Sequence, residues 1–365
     1  MKAVIMAGGK GTRLLPLTSR VPKPMVELVG RPCIEYAIEL LCRHGIRDIA
    51  VTVQYLPEVL VNHLGDGSRF GVRLHFFEER EPLGTAGSVK NAASFLDDTF
   101  LVISGDAVTD ADLTQVISHH RQRQALATLV LSEVACPSEF GIVLTDGSGR
   151  IQRFLEKPKP HEAFSNTVNT GIYVFEREIL DVIPKGTPCD FGKELFPQLV
   201  NAELPIYGWT AAGYWSDIGN WEQYLSTQFD MLSRRVAVRI HGAEARPGLW
   251  LGRGVHIHKQ AHIQGPAYIG DGTVIEAGAT VGPYAALGPN TYVEAGATLS
   301  HSIVWNGARI GKQAILQHAV VCRDACVEPC ATVMGESVGT GDETLQPAPL
   351  HTTADPLPPT IPSLT

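Results

Sequence analysis

The sequence predicts an α/β chain in two unlike parts. Residues 1–235 should form an open, mostly parallel sheet with helices on both faces, and residues 236–341 a stack of short strands. Three observations predict this. Short apolar runs alternate with helix-period segments through the first 235 residues, the pattern of a sheet wound with crossover helices. After Arg235 the helical period vanishes, and an aliphatic residue recurs every six positions at Ile257, Ile263, Ile269, Ile275, Val281, Leu287, Val293 and Leu299. From Asp342 onward, six prolines in 24 residues and few large apolar groups cannot repay the entropy of ordering, so 342–365 is expected to be a flexible tail.

The elements can be taken in order. A strand, Lys2-Ala3-Val4-Ile5-Met6, runs into the turn Ala7-Gly8-Gly9-Lys10-Gly11-Thr12-Arg13-Leu14. Ile34, Ala37, Ile38 and Leu41 recur at helical spacing, and Gly45 stands where a helix C-cap glycine belongs. Residues 48–53, 72–77 and 100–103 are apolar runs between turn signals and read as sheet strands. Helices are expected over 88–95, 112–123, 190–200 and 219–234. Ligands of such sheets bind at the carboxyl ends of strands, where the Gly8 turn lies.

In the repeat, a small residue follows each aliphatic one by four positions, as at Ala261, Ala267, Thr273, Ala279, Ala285, Thr291 and Ala297. The series slips by one to Val304, Ile310, Leu316 and Cys322, and again to Val327 and Val333. Six residues give one flat strand and one sharp corner, with the aliphatic residue stacked inward and the small one at the corner. The pattern resembles the hexapeptide repeat of left-handed parallel β-helices.

Composition narrows the function. A net charge of −8 opposes a nucleic-acid surface, so cationic groups must be focused locally, which suits small phosphorylated substrates. Seven scattered cysteines without a signal peptide read as reduced thiols in a cytoplasm, and the apolar run before Gly8-Gly9 is too short to span a membrane. The glycines of the first turn let the backbone aim N–H donors at an anion, while Arg13 and Lys23, with Lys10 in support, supply the charge that a triphosphate requires. No Gly-Lys-Ser/Thr closes the turn and it is not Gly-x-Gly-x-x-Gly, so a third phosphate-loop design is needed.

That order, Gly8-Gly9 with Gly11-Thr12-Arg13-Leu14, then Pro16-Leu17-Thr18 and Pro22-Lys23-Pro24, closely resembles the N-terminal signature of the sugar-1-phosphate nucleotidyltransferases, or NDP-sugar pyrophosphorylases. The resemblance implies a Rossmann-like domain that joins a nucleoside triphosphate to a sugar 1-phosphate and releases pyrophosphate. It implies nucleotide contacts from Ala7, Gly8, Gly9, Gly11, Thr12, Arg13 and Lys23, and a base-recognition turn at Glu81-Pro82-Leu83-Gly84-Thr85-Ala86-Gly87, with Gly84 and Thr85 at the base. Asp106 and Asp217 match the family's metal-binding pair, for Mg2+, with Asp106 also beside the nucleotide. Glu156-Lys157-Pro158 matches the motif in which lysine meets the sugar phosphate and glutamate the hydroxyls. Gly141, Asn169 and Thr170 match the sugar pocket. Arg13, Lys23 and Lys157 carry the catalysis in this reading, without a protein nucleophile or general base.

Pro22-Lys23-Pro24-Met25-Val26-Glu27 and the Glu81 turn are most similar to the branch that uses GTP and mannose 1-phosphate. Leu15, in place of a common arginine, and Ser104-Gly105-Asp106 depart from the family pattern. Glucose 1-phosphate, a heptose 1-phosphate or another sugar 1-phosphate with dTTP, UTP or GTP, and an inactive nucleotide-sugar-binding homologue, stay open. A third reading makes the repeat an acyltransferase through His256, His258 or His301; assembly of a homo-oligomer is the preferred role of that part. Among remaining polar residues, Asp110 reads as the cap of the helix at Asp112, and His119-His120 as solvated. His318, Cys322, Cys326 and Cys330 have the residue types of a zinc site, but the repeat register already explains Cys322 and Cys326 as core filling.

Overall fold

The first strand, Lys2–Met6, buries Ala3, Val4 and Ile5 completely because it lies in mid-sheet, parallel to Asp48–Val53 on one side and Phe100–Ser104 on the other. In the computed structural model, which describes residues 1–339, the sheet runs Ile151–Glu156, Gly141–Thr145, Thr167–Phe175, Phe100–Ser104, Lys2–Met6, Asp48–Val53, Arg73–Glu78. Ala127–Glu133 lies antiparallel to Thr167–Phe175 and parallel to Ile206–Thr210. The Rossmann-like parallel strands carry the glycine turn; antiparallel strands extend the sheet beyond Phe100–Ser104. The tail expected over 342–365 lies outside the described residues.

Helix Cys33–Arg43 buries Ile34, Ala37, Ile38 and Leu41, and ends at Gly45, whose φ of +77° only glycine adopts freely. The helix expected over 88–95 forms earlier, at Gly84–Asn91. The Cys189 carbonyl accepts from the Ala86 and Gly87 amides at 2.9 and 3.0 Å and so caps that start from outside the helix. The segment expected as one helix over 190–200 opens as a wide turn, Phe191–Leu195, before Phe196–Asn201. Asp112, and not Asp110, caps Leu113–Arg123 by accepting from the Thr114 and Gln115 amides. Asp110 instead accepts from the Tyr214 and Ala237 amides at 2.7 and 2.8 Å. His120 is fully buried between Thr128 and Glu176, because it follows Val116 by one helical turn and faces the sheet.

The second part is a left-handed parallel β-helix with three faces. Ile257, Ile275, Val293, Ile310 and Val327 form one inward column, and Ile263, Val281, Leu299, Leu316 and Val333 a second. Ile269, Leu287, Val304 and Val321 form the third, so the second slip falls one step earlier than the sequence suggests. Val321 takes the core place expected of Cys322, Ala325 is buried, and Cys326 points outward and is exposed. The corners Tyr284, His301 and His318, all at positive φ, stack their rings on one another beneath Phe229 of helix Trp221–Leu232.

One face of the β-helix packs Trp250, Tyr268, Ile303, Trp305 and Val320 against Val26, Leu28, Tyr36 and Tyr224 of the first part. Within it the Trp305 indole donates to the Tyr224 hydroxyl at 2.9 Å, which donates to the Glu27 carbonyl at 2.7 Å. Arg323 pairs with the buried Glu27 carboxylate at 2.6 Å. The β-helix thereby braces the segment that carries Lys23. No helix among the described residues is long and apolar enough to cross a membrane.

Candidate active site

The carboxyl ends of three parallel strands define the site. After Met6 the chain turns through Gly8 and Gly9, held by the Ala7 amide on the Thr52 carbonyl at 3.0 Å and the Gly105 amide on the Met6 carbonyl at 2.9 Å. Gly9 meets nothing that would contact a Cβ, leaving its backbone open. Gly11 has φ +67°, and a Cβ there would come within 2.9 Å of both Lys23 and Thr18. The turn can therefore close only on glycine.

Lys23 is the centre of the arrangement. Its side chain is 11% exposed, and its ammonium lies 2.5 Å from an Asp106 oxygen and 2.8 Å from an Asp217 oxygen. Asp106 follows strand Phe100–Ser104; Asp217 closes strand Trp215–Asp217, which pairs with Ala107–Thr109. Burial alone would lower the lysine pKa, but the two carboxylates overcome it and raise it. Burial and the neighbouring Asp106 carboxylate raise that of Asp217, against the pull of Lys23. Two hard oxygen donors thus converge on one cation, a set that suits a divalent ion completing its shell with phosphate oxygens. Arg13 reaches the same edge, where it pairs with Glu139 at 2.9 Å, and Gly219 leaves the room that Arg13 and Asp217 occupy.

On one side of Lys23 a cleft of about 280 Å3 is lined by Gly8, Gly9, Gln54, Glu79, Gly84, Thr85, Ser88, Asp106 and Asp190. Gly84 has φ +71°, and a Cβ would come within 2.6 Å of the Cys189 carbonyl, so packing as well as access requires glycine. The Thr85 hydroxyl donates to Asp190 at 3.0 Å and accepts from the Phe191 amide at 2.9 Å, which ties the cleft floor to the 190 turn.

On the other side lie Gly141, Glu156, Lys157, Asn169 and Thr170. Glu156 is half-buried, and burial raises its pKa against the pull of Lys157. Gly141 leaves the space that the Phe154 ring and Glu156 carboxylate fill. The exposed Lys157, at φ +46°, is fixed by its amide on the Phe140 carbonyl at 3.0 Å. Asn169 binds Tyr173 and the Gly171 amide, while the Thr170 hydroxyl turns away to the Val130 carbonyl, so Thr170 presents only backbone here. The Thr170 carbonyl accepts from the Trp215 indole at 3.0 Å, and Trp215 stands edge-on to Phe140.

Sequence reasoning missed Glu79, Gln54 and Asp190, and gave Glu139 no role of its own beside Gly141. Glu79 and Gln54 each directly follow a parallel strand, the only signal that marked them. The histidines of the β-helix are remote from this site: His301 packs against Phe229, Tyr284 and His318. Among the described residues, no three His, Cys, Asp or Glu side chains, the 318–330 set included, gather around one point as a metal cage.

Both parts of the chain match known families. Residues 2–234 match the family model described as Nucleotidyl transferase, and residues 263–348 the one described as GMPPB C-terminal domain. A UTP–glucose-1-phosphate uridylyltransferase of Synechocystis is 39% identical over 344 residues, covering 90% of this chain and 89% of the relative. A mannose-1-phosphate guanylyltransferase of Mycobacterium tuberculosis is 36% identical over 72% of this chain and 76% of its own. A probable mannose-1-phosphate guanylyltransferase of Oryza sativa is 33% identical over 94% of this chain and 93% of its own.

Proposed function

The chain belongs to the nucleotidyl transferase family, and from that premise we propose that it transfers GMP from GTP to mannose 1-phosphate, forming GDP-mannose and releasing pyrophosphate. The observation that carries the reading is the placement of Lys23, Asp106 and Asp217 between a base-sized cleft and the Glu156–Lys157 pair.

The chemistry follows from charge. Two polyanions must meet, and their repulsion is the first obstacle. Lys157 holds the sugar phosphate, and Glu156 with the Asn169 amide orients the hydroxyls. Gly8, Gly9, Gly11 and Thr12 give the triphosphate backbone donors, and Arg13 and Lys23 give it charge. A phosphate oxygen of the sugar then attacks the α-phosphorus in line; its bond forms as the bond to the pyrophosphate oxygen breaks, and no protein proton need move. A magnesium ion held by Asp106 and Asp217 would neutralise the α-phosphoryl charge that develops. Lys23, whose pKa both carboxylates raise in the ion-free protein, is within reach of the same charge.

A homo-oligomer built through the flat faces of the β-helix, and a cytoplasmic setting for seven free cysteines, complete the proposal. The uridylyltransferase relative supports a second reading, UTP with glucose 1-phosphate. Pyrophosphate release measured over a grid of GTP, UTP and dTTP with mannose and glucose 1-phosphates decides between them. Turnover confined to GTP and mannose 1-phosphate is expected; no release with any pair refutes the reaction class.

A further inference from the structure

The guanidinium of Arg13 stands between two sets of acceptors. On the outer side its Nη1 donates to Glu139 Oε2 at 2.9 Å, and both side chains are about half exposed. On the inner side its Nη2 borders a space shared with Asp217 Oδ2 and Gln223 Oε1, for a Cβ on Gly219 would stand 3.2, 2.8 and 3.0 Å from the three atoms. Gln223 Oε1 is buried there without a hydrogen-bond partner. A buried acceptor left bare is costly, so an unfilled place for a donor lies beside Asp217 while Glu139 holds the guanidinium from outside. Glu139 is itself anchored. It closes the turn Pro137–Glu139, which the Phe140 amide pins by donating to the Pro137 carbonyl at 3.0 Å, and it accepts from Asn220 Nδ2 at 3.4 Å. Asn220 in turn caps helix Trp221–Leu232.

We propose that Glu139 competes with the nucleotide for Arg13: it holds the guanidinium in the free enzyme, yields it to the triphosphate, and takes it back as pyrophosphate departs. This rests on the reading above that places the triphosphate on Arg13, and not on the choice of base. A guanidinium meets carboxylates and phosphates through the same N–H donors, so a donor turned to Glu139 is lost to a phosphate. An exposed pair is weak, whereas a triphosphate brings several charged oxygens, and the exchange therefore runs toward the nucleotide. The affinity observed is nonetheless reduced by the fraction of molecules in which Arg13 is still held. Pyrophosphate, which keeps two of the three phosphates, meets the same competitor, so Glu139 weakens the product's hold as well.

The test measures dissociation constants of GTP, UTP and pyrophosphate, each with magnesium, by titration calorimetry at low ionic strength, where an exposed pair is least screened. The proteins are the wild type, Glu139→Gln, Arg13→Gln and the double variant, and the tighter of the two nucleotides is read. Glu139→Gln should bind nucleotide and pyrophosphate about 2- to 5-fold more tightly, the size of an exposed ion pair. A side chain that only shaped its turn would leave binding unchanged or weaken it, and either result overturns the proposal. Arg13→Gln should weaken the nucleotide about 10-fold or more, and in that background Glu139→Gln should have no effect. Equal tightening with and without Arg13 would mean that Glu139 repels the phosphates directly; this overturns the competition and leaves Arg13 its role. An Arg13→Gln protein that binds the nucleotide as well as the wild type overturns the placement of the triphosphate itself, and the competition with it.

Discussion

Replacing Lys23 with methionine tests the centre of the site most directly. The substitution keeps the length of the side chain and removes the cation between Asp106 and Asp217, each of which is about a quarter exposed. Breaking a buried ion pair costs about 3–5 kcal/mol, and the partial exposure of both carboxylates places this one at the low end, about 3 kcal/mol. Protonation of Asp217, whose pKa is already raised, caps the loss. In a domain of this size each kcal/mol moves the melting temperature by about 2–4 °C, so Lys23→Met should melt about 6–12 °C below the wild type in EDTA. Magnesium should restore part of this, because the freed carboxylates present a cation site. About 10 mM ion against a Kd of about 1 mM returns about 1.4 kcal/mol. The nucleotide-free wild type, in which Lys23 fills that place, should gain much less. Equal melting of the two proteins in EDTA, or an equal gain from magnesium, would refute the argument that Lys23 and the ion compete for the same pair of carboxylates.

Three further outcomes are expected. Lys157→Ala should raise KM for the sugar phosphate about 10- to 100-fold and leave KM for the nucleotide nearly unchanged; a defect confined to the nucleotide would move Lys157 to the other substrate. Tyr224→Phe should destabilise more than Trp305→Phe, by about 2–4 against about 1–2 kcal/mol in urea melts, because losing the hydroxyl strands both the Trp305 indole and the Glu27 carbonyl. Burial lowers the His120 pKa from 6.5 despite the Glu176 partner, so between the two values the unfolded chain binds a proton that the folded chain does not. Stability from this residue is therefore complete above pH 6.5 and falls as the pH drops below it, by at most about 1.4 kcal/mol per unit, and His120→Gln should flatten that slope in melts taken at successive pH values.

Much of the molecule was legible because its signals are local or periodic. The Gly8 turn announced itself through residues that only a close backbone approach requires, and Gly11 at φ +67° against Lys23 shows that requirement. The six-residue period foretold the inward columns of the β-helix, since one aliphatic residue per face must stack. The slip at Val321 was misread because Cys322, also small and apolar, fits the slot as well by type. His120 was misread because helical spacing does not say which face meets the sheet until the sheet exists.

By itself, then, the sequence determined which groups are available: a glycine turn, the cations and carboxylates of its motifs, and a repeat that must coil. Tertiary structure decided which of these groups meet. Lys23 and Asp217 lie 194 residues apart and meet through the pairing of short strands and the bonds from Tyr224 to the Glu27 carbonyl and from the Val29 amide to Gln228. Glu79 shows the same division, since an acidic residue after a strand is ordinary in the sequence and only the fold buries it with one oxygen unpaired.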